Sequence, residues 1–190
     1  MKSFQHLLLV AGLMACLIPA TASATTIEAG GAPQNQAVAF EMSLASGTTM
    51  IIKDKNGTTN QTCTGSTLSG KTGSPFTGTS VSGTASTWTF TGCSHTMGTI
   101  VPGKLSFTWT SGTSGTVSSS EAELTIKSTT FGISAICKTG TGSKLGTLTG
   151  TKEGNATIDA ALELSCGALG ATTWAGTYTV TSPQGLGITS

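Results

Sequence analysis

Cys63, Cys93, Cys137 and Cys166 are the residues of this chain whose type and spacing most clearly carry chemistry. None belongs to a Cys-x-x-Cys pair, which argues against a tetrahedral zinc site and for two disulfides in an oxidising compartment. Four cysteines allow three connectivities. Cys63 and Cys93 lie 30 residues apart and Cys137 and Cys166 lie 29 apart, with corresponding cysteines offset by 74 and 73. That repeat favours Cys63–Cys93 and Cys137–Cys166 and is compatible with two pseudo-repeated halves. Each loop closure would stabilise the fold by about 3 kcal/mol.

Other constellations are weaker. Gly65 to Thr72 spells the G-x-x-x-x-G-K-T pattern of a phosphate-binding loop. That chemistry needs a helix N-terminus after it, and Gly73-Ser74-Pro75 follows instead, so a plain loop is expected. His95 is the one histidine beyond the leader. A Ser-His-Asp arrangement would have to recruit Asp54 or Asp159 to orient it, and no nucleophile elbow exists. Glu121 and Glu123 share a strand face that reads as the solvated one, a poor place for glycoside hydrolysis. Trp88, Trp109 and Trp174 fall on apolar faces and are expected in the core rather than on a sugar-stacking platform. Asn56, Asn60 and Asn155 open glycosylation sequons that a threonine-rich chain produces by chance. The assigned site residues are therefore the four disulfide cysteines. No catalytic, cofactor-binding or metal-ligating residue is assigned, no cofactor is expected, and the chain is not expected to be an enzyme.

The chain has 190 residues, with 26 glycines, 9 Lys+Arg, all of them lysine, and 8 Asp+Glu. Residues 1–24 read as a secretory signal peptide: Lys2, an apolar run from Leu7 to Ala15, Pro19, and Ala22-Ser23-Ala24 as the cleavage site. Leu13-Met14-Ala15-Cys16 offers a competing lipid-attachment reading. The apolar run is too short for a membrane anchor, and no transmembrane segment is expected. With Lys2 removed, residues 25–190 carry 8 lysines against 8 carboxylates and no arginine. A nucleic-acid partner needs a basic patch that this chain lacks. Little charge repulsion opposes self-association or adsorption.

Period-two alternation then dictates the fold class. Val38, Phe40, Met42 and Leu44 alternate with polar residues; so do Trp88 and Phe90; Leu105, Phe107 and Trp109; Ala122, Leu124 and Ile126; Phe131, Ile133, Ala135 and Cys137; Ile158 to Cys166; and Trp174 to Val180. About nine antiparallel strands with one apolar face each predict a single all-β domain over 25–190, a β-sandwich or barrel-like fold. Asn56-Gly57 marks a hairpin turn, and Gly65 to Gly83 reads as a loop or weak edge strands.

The phrases Cys63-Thr-Gly-Ser-Thr-Leu-Ser-Gly, Trp88-Thr-Phe-Thr-Gly-Cys93, Cys166-Gly-Ala-Leu-Gly and Gly176-Thr-Tyr-Thr-Val-Thr resemble small secreted bacterial proteins described as activators of alkane oxidation (PraB-like exported proteins). The resemblance implies an extracellular, non-catalytic role at the cell surface, in the biofilm matrix or at a hydrocarbon interface. It carries over no functional residues. Expected partners are further copies of the chain, surface or matrix components, or a hydrophobic substrate interface. The competing reading is a fimbrial-type subunit or adhesin, with Thr25 to Phe40 as a donated strand. Ice binding through Thr-x-Thr arrays is a third.

Overall fold

A computed structural model describes residues 24–128 and 133–190; the expected signal peptide through Ser23, with Cys16 in it, and Phe131 lie outside them. Alternation becomes strands wherever a branched or aromatic residue can face inward and a threonine outward. The strands are β1 (Thr26–Ala29), β2 (Ala32–Pro33), β3 (Ala39–Leu44), β4 (Met50–Asp54), β5 (Thr59–Thr72), β6 (Val81–Cys93), β7 (Thr96–Val101), β8 (Lys104–Ser111), β9 (Ser114–Ser120), β10 (Glu123–Ser128), β11 (Ile133–Thr139), β12 (Ser143–Thr149), β13 (Thr157–Ser165), β14 (Ala171–Ser182) and β15 (Gly187–Thr189). A 3-10 turn, Gly167–Leu169, separates β13 from β14.

The expected antiparallel all-β fold closes as a barrel. Strands β3, β5, β6, β8, β9, β12, β13 and β14 form an eight-membered ring in which every neighbour is antiparallel. One slot of the ring is shared. β3 pairs with the second half of β5, Ser43 opposite Thr67, and β4 continues in the same direction against the first half, Met50 opposite Cys63. Eight strands leave an interior that side chains fill. Here Phe40, Met42, Leu68, Trp88, Phe107, Val117, Leu148, Ile158, Leu162, Trp174 and Tyr178 fill it. A void between Trp88, Trp174, Leu105, Leu145 and Leu162 measures only about 10 Å³, no more than a single water.

Among the described residues, one separate small sheet and one extension of the ring's own sheet add to the barrel. β1 pairs with β2 and with β15, Ile27 opposite Ile188, and both isoleucines are buried. β7, β10 and β11 form a three-stranded sheet that joins the ring through two residue pairs, Lys138–Ser165 and Thr139–Leu164. Its inner face contributes Leu124, Ile126 and Ala135 to the core.

Several expectations change. Fifteen strands stand among the described residues where about nine were expected, because short pieces such as β2 and β15 carry too few residues to show a period. Gly65 to Thr72 is not a loop but the second half of the 14-residue β5, and Val81–Gly83 opens β6, so only residues 73–80 are irregular. Glycine is required there by close approach: a Cβ on Gly70 would sit 2.3 Å from the Thr84 carbonyl oxygen and 2.8 Å from Phe40. Glu121 is not on a strand; it precedes β10 with φ of 60° and pairs with Lys104 at 2.7 Å.

Candidate functional site at the turn between β6 and β7

β5 places Gln61 and Cys63 on its inward face, both buried completely. Gln61 is a polar side chain in a core position, and a buried amide must find partners. It finds them in the turn that leaves β6. Its Oε1 accepts from the His95 backbone N–H (2.9 Å) and the Ser94 hydroxyl (2.9 Å). Its Nε2 donates to the His95 carbonyl (2.8 Å) and to the Met97 sulfur (3.2 Å). The side-chain amide thus acts as one more peptide unit, pairing with His95 on both its backbone groups. Ser94 adds two bonds to Thr62, donating from its own N–H (2.8 Å) and accepting the Thr62 N–H on its hydroxyl (3.1 Å). The Cys63–Cys93 disulfide closes the same corner.

The corner frames an open groove of about 310 Å³ lined by residues 90–97, with Phe90, Cys93, His95 and Met97 as its distinctive side chains. Beneath it an aromatic column descends into the barrel. Phe90 and Trp88 have centroids 4.9 Å apart, Trp88 and Trp174 5.1 Å, and Trp174 and Tyr178 5.4 Å. Trp88 Nε1 donates to Ser66 Oγ at 3.3 Å. Burial, the larger effect, pushes the Tyr178 hydroxyl well above its ordinary ionisation range, while the neighbouring Ser66 and Trp88 side chains act in the opposite direction. No hydrogen bond reaches that oxygen or Trp174 Nε1 among the described residues.

Both disulfides take the pairing that the spacing favoured, Cys63–Cys93 and Cys137–Cys166. Cys63–Cys93 links the antiparallel β5 and β6, and Cys137–Cys166 links β11 to the residue that follows β13, with Cα atoms 4.0 and 3.8 Å apart. The other candidates are scattered. Trp88 and Trp174 are core, and Trp109, half exposed beside the β8–β9 turn, donates its indole N–H to Gly112. Lys71 and Thr72, which would hold phosphate, end a strand with no helix following. Asp54 caps the 55–58 turn by accepting the N–H groups of Asn56 and Thr58, and Asp159 accepts from Thr177, so neither orients His95. Asn60 has its amide nitrogen buried. Thr26–Ala29 and Ala39–Phe40, which lie in the expected donor segment Thr25 to Phe40, pair within their own chain. Among the described residues no three His, Cys, Asp or Glu side chains gather as a metal site, and no helix is long and apolar enough to cross a membrane.

Register on the outer surface produces what the linear sequence hides. Thr89, Thr67, Ser43, Thr179, Thr157 and Thr149 are successive cross-strand partners, forming one row across six strands. A second row runs Thr177, Asp159, Thr147, Thr116 and Thr108 across five. None of these residues is buried. The two rows touch every strand of the ring and carry one charge between them. Compared with known proteins, the chain matches no family model, no curated protein and no solved structure.

Proposed function

We propose that this is an extracellular, non-catalytic surface or biofilm-matrix protein that associates through its neutral, hydroxyl-rich barrel wall. The observation that carries the reading is the pair of in-register rows. They cover the ring with groups that both donate and accept hydrogen bonds and place almost no like charge between approaching copies. Two disulfides suit an oxidising setting. The curvature of the wall argues against ice binding, since a row that crosses six of eight ring strands cannot lie on a flat lattice plane. Dynamic light scattering of the oxidised mature protein at rising concentration tests the proposal. Particle growth that added salt does not reverse supports it, and an unchanging monomer overturns it.

A second reading, contact with hydrocarbon, rests on the family resemblance and on Val101 and Ile136. These exposed side chains lie on the outer face of the β7–β10–β11 sheet beside the Glu123–Lys138 ion pair. Partition of the native, oxidised protein onto hexadecane droplets would favour it; retention in water would leave the matrix reading.

A further inference from the structure

The two disulfides differ in what surrounds them. Cys137 and Cys166 are both buried completely, and Cys166 Sγ sits 2.8 Å from the Thr172 hydroxyl inside the core. Cys63 is equally buried. Cys93 alone is partly exposed, and it lines the open groove between β6 and β7. Thiol–disulfide exchange requires a thiolate to reach one sulfur along the S–S axis and a leaving thiolate that its site can hold. Only the Cys63–Cys93 bridge offers both. The groove gives approach on the Cys93 side, and on the Cys63 side Gln61 Nε2 lies 3.8 Å from Sγ, so that the N–H that faces the Met97 sulfur can turn to a thiolate formed there.

We propose that Cys93 is a site of covalent modification by low-molecular-weight thiols, forming a mixed disulfide in the folded protein. A thiolate RS⁻ attacks Cys93 Sγ. The R–S–S–Cys93 bond forms, the Cys63–Cys93 bond breaks, and its electron pair leaves on Cys63 Sγ, which takes a proton from water. A second thiolate can then attack the mixed disulfide, releasing RSSR and the Cys93 thiolate. The net change is oxidation of two thiols and reduction of one disulfide. Modification leaves the turn held by Gln61 and Ser94 alone, so the groove acquires a removable substituent without loss of the barrel.

The test uses the intact oxidised protein with glutathione as probe, quenched by rapid alkylation and read by peptide mass spectrometry. The expected result is glutathione on Cys93, alkyl label on Cys63, and reduction of this pair at least about tenfold faster than of Cys137–Cys166. Circular dichroism recorded in parallel should retain the strand signal, which separates exchange in the fold from exchange after unfolding. Equal rates for the two bridges, glutathione on Cys63, or label appearing only with loss of strand signal would each overturn the proposal.

Discussion

The side chain of Gln61 pairs with the backbone of His95 as one strand residue pairs with another, through a 2.9 Å bond from the His95 N–H and a 2.8 Å bond to its carbonyl. A core amide on β5 therefore fixes the turn that separates the barrel wall from the three-stranded sheet. Gln61→Leu keeps the volume and removes every one of these bonds, leaving the two His95 backbone groups to find other partners. Denaturant unfolding should show a loss of about 1–3 kcal/mol with an unchanged slope. A variant as stable as the parent would show that water replaces the amide at no cost.

The disulfides should contribute similarly to stability despite their different surroundings, because their loops of 30 and 29 residues are nearly equal. Replacing either pair by alanine is expected to cost about 3–4 kcal/mol by the chain-entropy argument. Calorimetry of the two double variants checks this; a large gap between them would assign the difference to native packing.

Gly70 and Lys71 separate a structural role from a phosphate-binding one. Gly70→Ala drives a Cβ into the Thr84 carbonyl and the Phe40 ring, so it should lower the melting temperature strongly. Lys71→Ala, on an exposed side chain, should leave stability within about 0.5 kcal/mol. ATP should shift the melting temperature of neither protein; stabilisation of the parent that Lys71→Ala abolishes would restore the nucleotide reading.

Tyr178, the one tyrosine of the chain, makes stability fall in alkali. Below pH 10 the phenol is neutral in both folded and unfolded chains and contributes no pH dependence. As pH rises past the unfolded value of 10.0, the unfolded chain ionises first, because burial holds the folded group protonated. Stability is then lost at up to about 1.4 kcal/mol per pH unit until the folded phenol itself ionises. Tyr178→Phe should remove this slope. Equal alkaline slopes in parent and variant would show the phenol to be reachable by water.

The fold was legible where a single strand carried its own period. Ile158 to Leu164 alternates buried and exposed as its sequence does, and the cysteine spacing anticipated both bridges. What no local pattern could show depends on partners far along the chain. β5 looked like a loop because glycine, serine and threonine form a strand only when Phe40, Thr84 and Thr91 stand opposite. Gln61 sits in the text Asn60-Gln-Thr and holds the turn only because β6 turns above it. The hydroxyl rows join Thr67 to Thr179 through Ser43, a relation set by register and invisible in sequence order.

Sedimentation velocity of the oxidised protein beside the double variant Thr67→Lys, Thr179→Lys tests whether those rows drive association. Both lysines flank Ser43 on the outer wall, where added charge opposes approach while the core is untouched. The parent should associate as concentration rises at low and high salt alike, and the variant should stay monomeric at low salt and associate again when salt screens its charges. A parent that remains monomeric at every concentration, or a variant that associates as the parent does, would contradict association through the rows.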